Sequence, residues 1–419
     1  MSASVEQPRA KGPLRGDQMA IGLVGAIFLT EAVIGILLLA VNPEYPRARL
    51  HADARVVGGA FSLYFAAKTI GQPLTGWLAD RLSPRLVLIG GIVACIPAIA
   101  WMMVVRSVWG YLAAWLLFGL TLAVVWPAMY ALVGRRFPPT VHARLLAIVS
   151  AAQIAGTAAG TIGGAQIADR VSFDAAFILA GALLAFAALE MAATAHAAGT
   201  VYATETLHAR TAPRPGLAAA LSVLTLDTAL LIALITIVSA AVAMLAPDLK
   251  PYSAHVLQMR YADFVLLLVP PAALAGALLL PAGWLADRLG RALPAIAGLT
   301  LFALGLGLIA VAQGRGAALF AACCAAVGYV LALPALSALL LDLSTVQNRG
   351  LLTGLTTSIQ AMGAIAGPAI GGALISGYGA RAPFRVAAAI VALALLLAVP
   401  LTLRARRRVS PVRVSTTPS

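Results

Sequence analysis

The sequence predicts an all-α membrane protein: twelve transmembrane helices forming two parallel-repeat six-helix bundles, with both termini on the cytoplasmic side. Three observations predict it. The chain of 419 residues is 61% hydrophobic and only 11% charged, with a mean hydropathy of +0.95, whereas soluble domains carry about 25% charged residues. Its apolar residues gather into twelve long runs, and a block of seven residues recurs at a fixed offset of 207 positions.

A span needs about 20 apolar residues to cross a hydrocarbon core of about 30 Å. In order, the runs are Gln18 to Val41, Val56 to Ala79, Leu86 to Val105, Val108 to Val133, Leu145 to Ile167 and Ala175 to Ala197, followed by Leu224 to Ala246, Ala262 to Ala286, Leu293 to Ala312, Ala317 to Leu341, Leu351 to Ile375 and Phe384 to Leu403. Each must be helical, because an unpaired backbone amide in lipid costs several kcal/mol and the runs lack the alternation of barrel strands. The first run is too long for a cleaved signal, holds Glu31 and precedes eleven others. These boundaries give a tail at 1–17, a six-helix bundle at 18–197, a linker at 198–223 carrying Pro213 and Pro215, a second bundle at 224–403 and a basic tail at 404–419.

Charge sets the orientation. Loops on the side of the two termini hold eighteen Lys and Arg residues, the opposite loops hold ten, and Lys68 falls inside a span. The side with the excess is cytoplasmic, which makes this a multi-pass protein of the cytoplasmic membrane. The net charge of +14 does not point to nucleic acid, since the arginines are scattered between apolar runs and form no patch. Cys95, Cys323 and Cys324 all lie inside apolar runs without metal-ligand spacing and read as small core residues. No metal site or cofactor is expected.

The repeat is Gly76-Trp77-Leu78-Ala79-Asp80-Arg81-Leu82, which returns as Gly283-Trp284-Leu285-Ala286-Asp287-Arg288-Leu289. The same offset carries Pro127-Ala128 to Pro334-Ala335, and Gly156, Gly160 and Gly164 to Gly363, Gly367 and Gly371. Parallel repeats put a solute site near the bilayer midplane at their interface. The segments Gly76 to Leu86 and Gly283 to Arg291 closely resemble the loop signature G-x-L-x-D-R-x-G-R-[RK] of the major facilitator superfamily, with Ser83 and Pro84 as departures in the first copy. The resemblance covers the whole chain through its twelve runs and its repeat.

That resemblance implies a gate. In the family the carboxylate matching Asp80 meets the cytoplasmic start of helix 11, here Arg349-Gly350-Leu351, and symmetry places Asp287 near Arg144 at the start of helix 5. Gly76, Asp80, Arg81 and Arg85, with Gly283, Asp287, Arg288 and Arg291, form the gating set, and Asp342 is the acidic partner expected for Arg288. Arg135 occupies the matching place in the first half. The plainer alternative is a turn with charges facing water.

The glycines at four-residue spacing give helices 5 and 11 a smooth face for close approach. Helix 11 also matches the glycine-proline pattern of drug exporters in this superfamily, with Pro368 after Gly367, but exporters carry it in helix 5, where this chain has Thr161. Helix 4 also lacks the arginine that exporters place in its outer part. Export and plain packing both remain open on this pattern.

Two charges lie inside the first half. Glu31 sits about 20 Å from the cytoplasmic end of helix 1, and Lys68 about 18 Å from the same surface on helix 2. A lone charge at mid-bilayer costs at least about 2.5 to 3.5 kcal/mol, so both should face the bundle interior. The repeat puts Val238 and Ala275 in their places, which separates the pair from the scaffold symmetry. A coupling or substrate role and a permanent structural bridge are the two readings. Trp126, Tyr130 and Tyr329 belong to helices that line the central path in this family, and Gln72, Gln153 and Gln360 to helices that reach it. The expected function is a secondary transporter of a small organic solute, moving it outward by alternating access with proton coupling, as a monomer embedded in lipid. The alternatives are an organic-anion carrier in which Lys68 binds the anion, and a transport-inactive sensor. The sequence has no phosphate-binding, ion-filter or hydrolase motif.

Overall fold

The computed structural model describes residues 18–197, 225–342 and 349–409. The expected tail at 1–17 and linker at 198–223 lie outside the described residues. The long helices, in chain order, begin with α1 (Gln18–Ile34), which continues as a π-helical stretch over Gly35–Val41. Then come α2 (Ala54–Arg81), α3 (Pro84–Val104), α4 in two pieces (Val108–Leu122 and Val125–Arg136), α5 (Pro139–Arg170) and α6 (Phe173–Ala197). The second half holds α7 (Leu226–Met244), α8 in two pieces (Tyr261–Leu267 and Val269–Leu289), α9 (Ala292–Val311), α10 (Arg315–Asp342), α11 (Arg349–Tyr378) and α12 (Ala382–Val409).

Among the described residues, 11 helical stretches are long and apolar enough to cross a membrane. The exception among the expected spans is α2. At 28 residues it reaches about 42 Å, ample for a bilayer, but Lys68, Thr69 and Gln72 dilute its apolar character. Three spans differ most in extent from the sequence expectation, α5 among them, which starts at Pro139 and ends at Arg170. Beyond α7 the chain stays coiled through Ala246–Asp248, Leu249–Pro251 and Tyr252–Val256, and α12 runs on past Leu403 to Val409.

The chain divides into two compact units. Of the described residues, one comprises 18–41, 67–105 and 113–197; the other comprises 42–66, 106–112, 225–342 and 349–409. Within the first, α1 packs on α5 and α6, and α3 on α6 and the second piece of α4. Within the second, α7 packs on α11 and α12, and α9 on α12 and α10. The same neighbours meet in both, as expected of a repeated unit.

Glycine sets the closest of these approaches. A Cβ added at Gly156, Gly160 or Gly164 would come within 3.0 Å of α1 or its π continuation, at Phe28, Ala32 and Ile36 respectively. Gly363, Gly367 and Gly371 stand in the same relation to Thr236, Ala240 and Met244 of α7. Lipid tails are as apolar as leucine, so membrane helices gain mainly from tight packing, and small faces supply it. A further small-residue seam joins α9 to α10, where Gly298 and Gly305 meet Ala332 and Ala325, and Gly328 meets Phe302.

The break in α4 has a local cause. Pro127 has no N–H, so the carbonyl of Ala123 four residues earlier loses its helical donor. In hydrocarbon such an orphan must find another partner. The Thr75 hydroxyl on α2 lies 3.0 Å from the Ala123 oxygen, its hydrogen shared with the carbonyl of Gln72 at 3.0 Å. At the repeat-related place Ala282 offers no hydroxyl, and α10 carries Pro334 within a continuous helix.

Two outcomes follow from this packing. Thr75→Val should lower stability by about 1 to 2 kcal/mol by stranding the Ala123 carbonyl, while Thr75→Ser should stay near the parent; thermal unfolding of the purified protein checks both. On α5, Gly160→Ala should cost about 1 to 3 kcal/mol by overpacking. Gly163→Ala, three residues away with nothing within 4 Å of the added carbon, should be neutral or slightly stabilising in the same measurement. Gly25 cannot serve as that neutral control, since its Cβ would press on the Glu190 carboxylate at 2.5 Å.

Candidate functional site

The site begins with the glycine face of α5. Because Gly156 and Gly160 bring that helix against the backbone of α1, its side chains at Gln153 and Thr157, four residues apart and so on one face, reach Glu31. The Gln153 amide donates to Glu31 Oε1 at 3.3 Å, and the Thr157 hydroxyl donates to Oε2 at 3.2 Å. The Trp126 indole on the second piece of α4 interacts with the same carboxylate. Glu31 is 4% exposed. Lys68, half-buried on α2, is its opposite charge.

The surroundings are shaped to hold this carboxylate. Just beyond Glu31 the helix switches to π geometry at Gly35, a position where a side chain would collide with the Thr157 carbonyl and the Thr161 amide. Such π segments recur at functional sites because they re-aim a helix without ending it. Thr161 in turn donates to the Thr157 carbonyl at 2.7 Å. Gln72 lies one turn below Lys68 on the same face of α2 and is half-buried. Trp126 stacks toward Tyr130 with ring centroids 5.9 Å apart, and Tyr130 is 54% exposed. An aromatic surface thus adjoins a buried carboxylate and a cation, a set able to hold a proton or a polar head group beside an apolar body.

The second unit carries a related but uncharged arrangement. Gln360, the repeat counterpart of Gln153, donates to Ser239 Oγ at 2.7 Å. Tyr329 is half-buried against Phe302 of α9, with centroids 5.7 Å apart. It belongs to the other unit from Trp126 and Tyr130.

The gating residues fall into two groups. The side chains of Asp80, Asp287 and Asp342, and those at the start of α11 around Arg349, lie outside what the structure describes. Arg81 lies over the Trp77 ring at 4.0 Å and Arg288 over the Trp284 ring at 4.1 Å, so the repeated motif repeats this cation–π contact too. Gly76 and Gly283 have room around them. Arg85 and Arg291 serve as anchors within their own units. Arg85 donates to the carbonyls of Met191 at 2.8 Å and Ala192 at 2.9 Å near the end of α6, and Arg291 donates to the carbonyl of Ala338 on α10. Arg135, where the repeat would call for an acid, donates to the carbonyl of Ala79 at 3.1 Å at the negative end of α2.

Sequence reasoning passed over Thr157 and the π segment. A Thr four residues after Gln153 on the face of the glycine stripe was the available signal for the first. The geometry of helix 1 left none for the second.

Comparison with known proteins places this architecture. The chain is 28% identical over 380 residues to the Multidrug resistance protein MdtG of Citrobacter koseri, covering 87% of this chain and 90% of that protein. It is also 28% identical over 382 residues to the protein of the same name from Escherichia coli O9:H4, covering 87% and 89%. Among solved structures, the nucleoside transporter NupG superposes with a TM-score of 0.70 at 14% identity, covering 94% of this chain and 100% of that one. The peptide transporter POT in complex with sulfate gives 0.73 at 15% identity, covering 93% and 94%. These likenesses speak to the fold. The family model of the Major Facilitator Superfamily matches residues 23–278 and again 230–418, and the chain belongs to that superfamily of membrane transporters.

Proposed function

We propose that this transporter exports a small organic solute in exchange for protons, with Glu31 as the proton-bearing group and both termini on the cytoplasmic side of the cell membrane. The observation that carries the reading is the Glu31 carboxylate, buried among Gln153, Thr157 and Trp126 with Lys68 as its opposite charge. An ionisable side chain buried within a membrane span is costly and points to a role. Hydrogen-bond donors and a cation compensate the buried carboxylate; a proton or a cationic solute can replace that compensation in turn. The Trp126 and Tyr130 rings offer the solute's apolar part a surface beside the charge. Curated relatives that bear the name of multidrug resistance proteins support outward movement of organic compounds.

The test separates proton coupling from a structural bridge. In proteoliposomes, Glu31→Gln should bring flux driven by a pH gradient down to background while ligand binding persists, because the amide keeps the hydrogen-bonding shape and loses the proton. Lys68→Ala should alter the pH profile of transport and leave solute binding in place. Recovery of gradient-driven flux in the double variant Glu31→Gln, Lys68→Ala would show that the charges only satisfy each other and would end the assignment.

A further inference from the structure

The compact second unit contains a piece of the first repeat. Residues Asn42–Ala66, which link α1 to α2 and form the first half of α2, belong to it together with α7 and α11. Two kinds of contact bind this strap. At the backbone level, Gly58 of α2 would drive a Cβ into the Pro368 carbonyl of α11, and Gly372 of α11 would drive one to 2.5 Å from the Ala54 carbonyl of α2. The two helices therefore cross with their backbones touching, glycine on each side. The repeat offers Val265 and Ala165 at the corresponding places, so this crossing belongs to one seam alone.

The second contact is electrostatic and lies just above the crossing. Glu44 Oε1 receives Lys250 Nζ at 2.7 Å, with both side chains mostly buried, and the Lys250 ammonium also lies 5.7 Å from the centre of the Tyr261 ring. Asp248, in the tight turn beyond α7, is 0% exposed, and neither of its oxygens accepts a hydrogen bond. Its compensation is the positive charge of Arg47 on the strap, which also interacts with Asp53 and Glu44. Both pairs join the strap to the coiled extension of α7, and neither joins neighbours in sequence. Asn42, fully buried where the strap begins, accepts from Tyr111 Oη at 2.9 Å and donates to the Val57 carbonyl at 3.4 Å, so the strap enters the crossing in a fixed position.

We infer that this strap is the lock of the extracellular gate: the Glu44–Lys250 ion pair clamps it onto the extension of α7, the positive charge of Arg47 offsets the charge of buried Asp248 across the same seam, and the outer face opens only when the ion pair separates and the Gly58–Gly372 crossing comes apart. The inference rests on the transporter reading and on the orientation proposed above, but its test needs no substrate. Truncating one member strands the other as a buried, uncompensated charge, so single changes should weaken the clamp more than paired ones. Arg47→Gln should loosen it as well, since buried Asp248 then loses its compensating charge.

The reporter is Ala54→Cys in full-length protein whose Cys95, Cys323 and Cys324 are changed to Ala. Ala54 is 5% exposed at the wall of a cavity of about 570 Å3 that also reaches Arg55, His255 and Ser376, so an impermeant maleimide added from outside intact cells meets it as soon as the crossing loosens. With the lock intact, labelling should be slow. Glu44→Gln should raise its rate roughly fivefold and Arg47→Gln should raise it as well, and the reversed pair Glu44→Lys, Lys250→Glu should return it toward the starting rate. Rescue by reversal separates an ion-pair lock from a folding defect, which reversal would not repair. Parent-like labelling in both single variants, or a reversed pair that labels as fast as Glu44→Gln, would overturn the lock. Undiminished gradient-driven flux in Glu31→Gln alongside the expected labelling pattern would sink the proton reading and leave the lock standing.

Discussion

The close approach of α5 to α1 is the constraint on which the rest of the first unit depends. In water, helices are driven together by the apolar surface they hide. In lipid that drive is absent, and association rests on how near two backbones can come. Gly156, Gly160 and Gly164 let α5 settle on Phe28, Ala32 and Ile36, and only at that distance do the short side chains of Gln153 and Thr157 touch Glu31. Packing here creates the chemistry, since a wider spacing would leave a buried carboxylate without its donors. The second unit obeys the same rule, with Gln360 brought onto Ser239 by Gly363 and Gly367. Because the scaffold is duplicated and the charge is not, a plain packing surface in one half has become a candidate site in the other.

The fold was legible from composition and periodicity because a bilayer allows so few solutions. Spans, glycine faces and the repeat all came from one-dimensional patterns, and counting residues from Asp80 and from the start of helix 1 placed Lys68 and Glu31 at one depth. The interactions that depend on backbone irregularity were not legible. Nothing in the α1 sequence marks the π segment at Gly35–Val41. The α4 break follows from Pro127, yet Pro334 at the repeated position interrupts nothing, so the proline alone does not determine the outcome. Nothing in the sequence marks Glu44 and Lys250 as partners, because a pairing across two hundred residues leaves no local trace.

The arginines of the repeated loop show how a motif can be read too narrowly. Counted as gating residues, Arg85 and Arg291 turn out to hold carbonyls of α6 and α10 within their own units. A guanidinium has five donors in a rigid fork, and each of these ties a helix end that lipid would otherwise leave unsatisfied. Motion at the loop must pivot about these anchors.

Thr75 carries a mechanical consequence. By lending its hydrogen to the Ala123 carbonyl, α2 completes the bonding of α4 at the point where α4 is broken. A helix that supplies another's missing bond cannot slide along it without exposing a bare carbonyl to hydrocarbon. The second half of α2 and the first piece of α4 are therefore pinned to each other at Ala123, and the compliant element is the α4 joint just beyond, about which the piece bearing Trp126 and Tyr130 can swivel.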